Sequence, residues 1–156
     1  MVTSNQERSP REERLDLLGA VVAHVIFVSS ILTFSVRMIF GVGPGHWIGI
    51  PILLVAFPLA YLLVTAPELH RPPLYYIQIS IMLLWIIALF LIDYVFGYDF
   101  RHTQWMVVVY VVVYFAGIGG MIGISALAGK DWTRSAVALF FIAGILAFVQ
   151  RAVTGL

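Results

Sequence analysis

The amino-acid sequence predicts an all-α fold: a polytopic membrane protein in which five transmembrane helices form one bundle with short loops. The first observation is composition, because 62% of the 156 residues are hydrophobic and only 11% are charged. Ordinary soluble domains are about half apolar and about a quarter charged, so a soluble domain of this composition would leave much apolar surface uncovered. The second observation is a series of five apolar runs, each near the length of about 20 residues that a helix needs to cross a bilayer.

The chain divides into a polar N-terminal tail, residues 1–8, and a transmembrane bundle, residues 9–156. The five spans are predicted at residues 17–40, 48–66, 74–96, 105–128 and 134–153. Glycine, proline and polar residues separate these runs, as expected for tight loops between membrane helices. The odd number of spans argues against a transporter made of two simple inverted repeats.

The first helix carries a clear start signal ahead of its apolar run. Ser9 can cap the helix, Pro10 suits the first helical position, and Glu12 completes a capping box. We therefore expect this helix to begin in water and to enter the membrane near Leu17. Its apolar part is too long for the core of a signal peptide, so we treat it as a retained span.

Two prolines distinguish the second span. Pro51 lies in the first turn, where a missing backbone N–H is harmless. Pro58 lies inside the span, removes a backbone hydrogen bond and is expected to kink the helix. Neighbouring helices make such kinks tolerable in membranes.

The fourth span has a face of small residues, and we expect it to occupy the centre of the bundle. The predicted helix-packing residues are Ala116, Gly119, Gly120 and Gly123 on this span, and Ala143 and Ala147 on the fifth. Glycine inside a helix permits close approach of a second backbone, which drives association of membrane helices. The sequence therefore predicts that the fourth span packs its glycines against the alanine stripe of the fifth.

The distribution of lysine and arginine predicts an inside N-terminus and an outside C-terminus. In that orientation the inner side carries Arg8, Arg11, Arg14, Arg71, Lys130 and Arg134. The outer side carries Arg37, Arg101 and Arg151. We expect an integral protein of the plasma (inner) membrane of a prokaryote. The inner loop Glu68-Leu69-His70-Arg71 is interpreted as a solvated loop.

Polar residues near the outer ends of spans one, three and five, with the third loop, form the candidate site. They are Arg37, Asp93, Arg101, His102, Gln150 and Arg151. Charged groups within spans are costly and either pair with one another or face a cavity. The cluster is therefore either a ligand-binding site for an anionic or zwitterionic head group, or a structural ionic clasp between helices.

Helical phase places further polar residues near this cluster. Ser30 and Thr33 share a face with Arg37, and a stripe on the third span leads to Asp93. That stripe consists of Gln78, Met82, Trp85, Leu89 and Asp93. Tyr110 and Tyr114, one turn apart on the fourth span, are interpreted as packing residues, with a ligand cavity as the alternative.

No cofactor and no metal is expected. The chain has no cysteine, which excludes disulfides and cysteine-based metal sites. His24 is the only histidine deep in a span, and we expect a neutral imidazole bonded to a neighbouring backbone or hydroxyl group rather than a haem ligand. A zinc site combining His46, His102, Asp93 and Asp99 lacks the local spacing that such sites show.

The sequence leaves several functions open. A structural or accessory subunit that packs against other membrane proteins is the first, since packing features dominate the chain. A binding or transport protein for a lipid or small amphipathic molecule is the alternative, and would show a cavity between Asp93, Arg37 and Arg151 instead of closed pairs. An enzyme is disfavoured, because no paired carboxylates and no nucleophile–base pattern are evident. Expected partners are membrane lipids and other membrane proteins or a second copy, and no nucleic acid.

Overall fold

The computed structural model describes residues 9–41, 45–96 and 103–154, and these residues are helical apart from short connections. The helices are α1 (Pro10–Phe40), α2 (Gly45–Leu54), α3 (Ala56–Thr65), α4 (Pro73–Leu89), a π-helix (Phe90–Phe96), α5 (Gln104–Ala128) and α6 (Lys130–Thr154). Four helical segments are long and apolar enough to cross a membrane, and a fifth, Gly49–Thr65, is apolar but shorter. The chain is thus a helical membrane bundle, and the predicted tail, residues 1–8, lies outside the described residues.

The start of α1 has the predicted capping box. The backbone N–H of Glu12 donates to Ser9 Oγ at 3.2 Å, and the backbone N–H of Ser9 donates to the Glu12 carboxylate at 2.9 Å. These two bonds satisfy donors that the first turn of a helix leaves without partners. The helix ends at Gly41, whose φ of 75° favours glycine.

The hydrogen-bond ladder of the second predicted span is interrupted near Pro58, where the sequence predicts a kink. The helix breaks between α2 and α3 at Val55, three residues before Pro58. Pro58 has no N–H to donate to the carbonyl of Leu54, so the hydrogen-bond ladder is interrupted at that point. The ladder resumes at once, because the N–H of Leu59 donates to the carbonyl of Val55 at 3.1 Å.

The centre of the bundle is α1, which corrects the expectation for the fourth span. In its most apolar stretch 44% of the residues are buried, compared with 28% for α5 and 11% for α6. α1 packs against α2, α3, α5 and α6, whereas α5 packs mainly against α1, α4 and α6. Small or polar side chains along α1, including Ala20, Ala23 and Ser30, allow neighbours to approach it closely.

Gly120 and Gly123 of α5 face α4 rather than the alanine stripe of α6, which is a second correction. A Cβ added at Gly120 would lie 3.2 Å from Gln78 Cβ, and one at Gly123 would overlap the Gln78 amide group. Gly117, outside the predicted set, is similarly close to Met82. The long side chain of Gln78 fills the glycine groove and therefore keeps α6 out of it.

The remaining packing residues have mixed positions. Gly119 does face α6, where Phe140 is the nearest side chain, but Ala116 is exposed. Ala143 is fully buried and Ala147 lines a cavity described below. The contact between α5 and α6 is made largely by aromatic rings, since Phe115 lies 6.1 Å from Phe140 between ring centroids.

A buried ion pair joins the start of α1 to the loop before α4. Arg71 donates to the carboxylate of Asp16, and only 11% and 3% of these two side chains are exposed. The Arg71 guanidinium also lies 5.4 Å from the centroid of the Tyr75 ring. The loop predicted to be merely solvated therefore contributes a buried charge, although Glu68 and His70 in the same loop are exposed.

His24 has the bonding pattern that its position predicts. Its Nδ1 lies 2.8 Å from the carbonyl oxygen of Ala20, so this nitrogen carries the proton and donates. Its Nε2 lies 2.7 Å from Ser135 Oγ on α6, and Trp132 packs edge-on against the ring. His24 thus links α1 to α6.

Candidate functional site

A cavity of about 190 Å³ lies within the end of the bundle at which α1 finishes, called here the Arg37 end. Its walls come from α1, α2, α4 with the π-helix, α5 and α6, so helices distant in sequence all contribute. The volume is below the roughly 300–1,000 Å³ of pockets for drug-sized ligands. A small molecule or one part of a larger amphipathic molecule would fill it.

Four of the predicted site residues lie at this cavity. Arg37, Asp93, Gln150 and Arg151 all line it, and we call these four residues the rim because they stand nearest the helix ends. Arg101 and His102 lie outside the described residues. The structure thus brings together residues from three helices that are separated by up to 114 positions along the chain (151 − 37).

Within the rim, whose residues are all described, no ion pair joins Asp93 to either arginine. Within the described part of the chain, Asp93 forms no ion pair or hydrogen bond, and the same holds for Arg151. Asp93 and Arg37 both act electrostatically on the Tyr94 hydroxyl, which places the three groups in one neighbourhood. Among the described residues, Asp93 is thus paired with neither Arg37 nor Arg151, although all three line the same cavity.

Three deeply buried polar side chains line the inner part of the cavity, which we call the base. Ser30, Trp85 and Tyr114 are only 3%, 3% and 5% exposed. Ser30 Oγ, Trp85 Nε1 and the Tyr114 hydroxyl each lack a hydrogen-bond partner among the described residues. The Ser30 and Tyr114 hydroxyls are neighbours, but their geometry falls short of a hydrogen bond. Because buried polar groups are nearly always paired, these groups call for hydrogen-bonding partners inside the cavity, from water or from a ligand.

Aromatic rings form the wall between rim and base. The ring centroid of Trp85 lies 5.1 Å from that of Tyr114 and 6.1 Å from that of Tyr110. Phe34 meets Tyr114 edge-on at 5.9 Å. With Ile52 and Leu89, these rings give the cavity a mainly apolar lining with polar groups at its two ends, as small-molecule sites commonly have.

One side of the cavity reaches the outer surface of the bundle. Val111 on α5 and Phe148 on α6 both line the cavity, and both are exposed. At this level the wall of the cavity is therefore also part of the apolar outer surface of α5 and α6.

A glycine on α2 fixes the position of Tyr94 at the rim. A Cβ added at Gly49 would lie 2.6 Å from the Tyr94 hydroxyl oxygen, so no larger residue fits there without a shift. Tyr94 belongs to the π-helix, as does Asp93. π-helical turns are rare and occur frequently at functional sites. The π-helix is not predictable from the sequence, because it has no periodic pattern within an apolar run.

The described residues contain no group of three or more histidine, aspartate or glutamate side chains placed to hold a metal ion. The side chains of His46, Asp99 and His102, which the zinc alternative requires, lie outside the described residues. The chemistry available at the cavity is thus that of arginine and aspartate charges, hydroxyl and indole donors, and aromatic faces.

No known protein family, no curated protein and no solved structure matches this chain. The fold itself defines the class: an integral membrane protein whose apolar helices form a bundle.

Proposed function

We propose that the protein binds a lipid or other small amphipathic molecule in the cavity at the Arg37 end. The observation that carries this proposal is that Arg37, Asp93 and Arg151 line an open cavity in which Asp93 is not paired with either arginine. Partly buried charges inside a membrane are costly unless they serve a ligand or pair with one another. An amphipathic ligand would supply a counter-charge to Asp93, which no described residue pairs with.

The ligand's polar head would lie at the rim. The guanidinium groups of Arg37 and Arg151 suit a phosphate or carboxylate, since guanidinium presents several donors to such oxygens. Asp93 suits an ammonium group, which favours a zwitterionic head with separated charges. The aromatic wall would surround the adjoining apolar part of the molecule.

Access would be lateral, from the bilayer, past the exposed side chains of Val111 and Phe148 that also line the cavity. By the placement of lysine and arginine, the rim would face the outer side of a prokaryotic plasma membrane. Such a protein would take its ligand from the outer leaflet, either to hold it or to move it across the membrane.

Equilibrium binding to the purified protein in lipid nanodiscs tests this proposal. The probes are radiolabelled lysophosphatidylethanolamine, which is zwitterionic, and an alkyl maltoside of equal chain length, which is uncharged. Saturable binding is expected, with the zwitterion about tenfold tighter, as one charge-assisted contact supplies.

Replacing either of two alanines on α6 by phenylalanine tests where the ligand binds. Ala147→Phe fills the cavity, whereas Ala138→Phe places the same ring at an exposed position that does not line it. Binding should be lost in the first variant and kept in the second. Equal binding by the two variants, or no saturable binding by the unaltered protein, contradicts the proposal.

An accessory subunit is the second candidate, and the exposure of α6 favours it. Only 11% of the most apolar stretch of α6 is buried, and Phe141, Ile145 and Phe148 are each more than half exposed. A helix so weakly covered offers a face to another membrane protein. Native mass spectrometry after gentle extraction separates the candidates: an assembly with other polypeptides supports the subunit, and a lipid-sized added mass on the monomer supports the binding protein.

A further inference from the structure

The base of the cavity restricts the chemistry of whatever occupies it. An indole N–H can only donate a hydrogen bond, so Trp85 Nε1 requires an acceptor. The hydroxyls of Ser30 and Tyr114 can donate as well, and all three groups are buried without a partner among the described residues. All three residues line the same small cavity, so an oxygen acceptor inside it could receive hydrogen bonds from them.

The charges of the lining residues indicate that this oxygen is uncharged. The only cationic side chains that line the cavity, among the residues described, are Arg37 and Arg151 at the rim. Ser30 lies seven residues before Arg37 on α1, which is about 10 Å deeper at the rise of an α-helix. An anionic oxygen at that depth would be buried among aromatic rings without a counter-charge, which is costly.

We propose that the bound molecule carries a carbonyl oxygen, of an ester or a ketone, which accepts hydrogen bonds from Trp85, Tyr114 and Ser30 at the base. This inference rests on the proposed function and narrows its ligand class to acyl esters and related carbonyl compounds. The charged head at the rim and the carbonyl at the base make a two-point recognition of one molecule. A purely alkyl amphiphile satisfies only the first point.

A matched pair of lipids tests this inference. Ester-linked and ether-linked lysophosphatidylethanolamine of equal chain length share the head group and differ in the carbonyl oxygen. The purified protein in nanodiscs should bind the ester about tenfold more tightly, which corresponds to about one net hydrogen bond. Equal affinity for the two lipids overturns the inference but leaves the proposed function intact, because both lipids still bind. Failure of both lipids to bind removes the proposed function as well.

Substitutions at the base assign the preference to these side chains. The double variant Ser30→Ala/Tyr114→Phe removes two oxygen atoms and keeps the shape of the cavity nearly unchanged. Its ester-to-ether affinity ratio should fall from about tenfold to about threefold or less, because the carbonyl loses two of its hydrogen-bond donors. Tyr61→Phe, an exposed residue outside the cavity, is the control and should keep the full ratio. A ratio that is the same in the double variant and in the control overturns the assignment of the carbonyl to the base.

Binding of the ether lipid also distinguishes loss of the carbonyl contact from misfolding of the variant. A variant that fails to fold loses both lipids together, and the Trp85→Phe variant then replaces it, since that substitution removes the indole donor while keeping an aromatic ring. Trp47→Phe, at an exposed position outside the cavity lining, is its control. A water molecule at the base in place of a ligand oxygen would give equal affinities for ester and ether, and so would also overturn the proposal.

Discussion

The two ends of the bundle hold similar side chains in opposite states. At the end where α1 begins, Asp16 and Arg71 form a buried ion pair, and Tyr75 packs on the guanidinium. At the Arg37 end, Asp93 shares a cavity with two arginines and several aromatic rings but pairs with no other described residue. The same three residue types thus form a buried ion pair with a packed ring at one end, and line a cavity at the other.

Local packing explains this difference. The Arg71 side chain approaches Asp16 from a loop, whose backbone can bring the guanidinium onto the carboxylate. Arg37, Asp93 and Arg151 stand on three different helical segments, and the rings of Phe34, Trp85 and Tyr114 line the same cavity. A side chain on a helix has less freedom than one on a loop to bring its charge onto a partner. The presence of an acid and a base near one membrane face therefore does not by itself make a clasp.

The largest expected effect comes from the end where α1 begins. Asp16→Asn leaves the Arg71 guanidinium buried without a counter-charge and should lower the free energy of unfolding by about 3–5 kcal/mol. Steric-trapping measurements of unfolding in bicelles give this value. Glu68→Gln, which breaks the exposed pair with Arg11, is the control and should cost about 0–1 kcal/mol. Similar losses for the two variants would mean that Asp16 is not a buried clasp.

An intermediate effect is expected where α4 and α5 meet, between the two ends. Gly120→Leu forces a side chain against Gln78, whose Cα lies 3.4 Å from the added Cβ, and should cost about 1–3 kcal/mol by overpacking. Ala116→Leu adds the same side chain to an exposed position of the same helix and should change stability by less than about 0.5 kcal/mol. Thermal unfolding of both variants in one detergent makes the comparison.

The smallest expected effect comes from the Arg37 end. Asp93→Asn should change the free energy of unfolding by less than about 0.5 kcal/mol, because no described residue pairs with the carboxylate. Steric trapping in bicelles, as for Asp16→Asn, measures this value, so the same aspartate-to-asparagine change is compared at the two ends of the bundle. A loss of about 1–3 kcal/mol would show that Asp93 is a clasp after all. Binding of lysophosphatidylethanolamine by this variant should weaken about tenfold.

The helical class of the protein follows from sequence because apolar run length is a direct physical requirement of a bilayer. The capping box at Ser9 and the interruption before Pro58 were also predictable, since both depend on residues adjacent in the chain. Which helices pack against one another was not predictable from the sequence. Gly120 and Gly123 predict a close contact with another helix, but the sequence of α5 does not indicate that Gln78 of α4 makes this contact. Small residues specify that a neighbour approaches, and the neighbour's own side chains decide which one.

The rim of the candidate site was predictable in outline, since Arg37, Asp93, Gln150 and Arg151 all lie near helix ends at one predicted membrane face. The base was predictable only in part. Helical phase placed Ser30 and Trp85 on interior faces, and Tyr114 was interpreted as a packing residue with a ligand cavity as the alternative. Neither observation tells whether a buried donor finds a partner. The Asp16–Arg71 pair was missed because Asp16 precedes the apolar run and Arg71 lies in a polar loop.

The π-helix Phe90–Phe96 changes how sequence variation acts on this site. Its turns are wider than those of an α-helix, so one residue more than an α-helical turn requires is accommodated there. Deleting a single residue within it would let the segment relax to an α-helix and turn Asp93 and Tyr94 away from the other rim groups, while leaving α4 in register with its neighbours. The arrangement of the rim can thus be gained or lost by a change in chain length of one residue, without any exchange of one side chain for another.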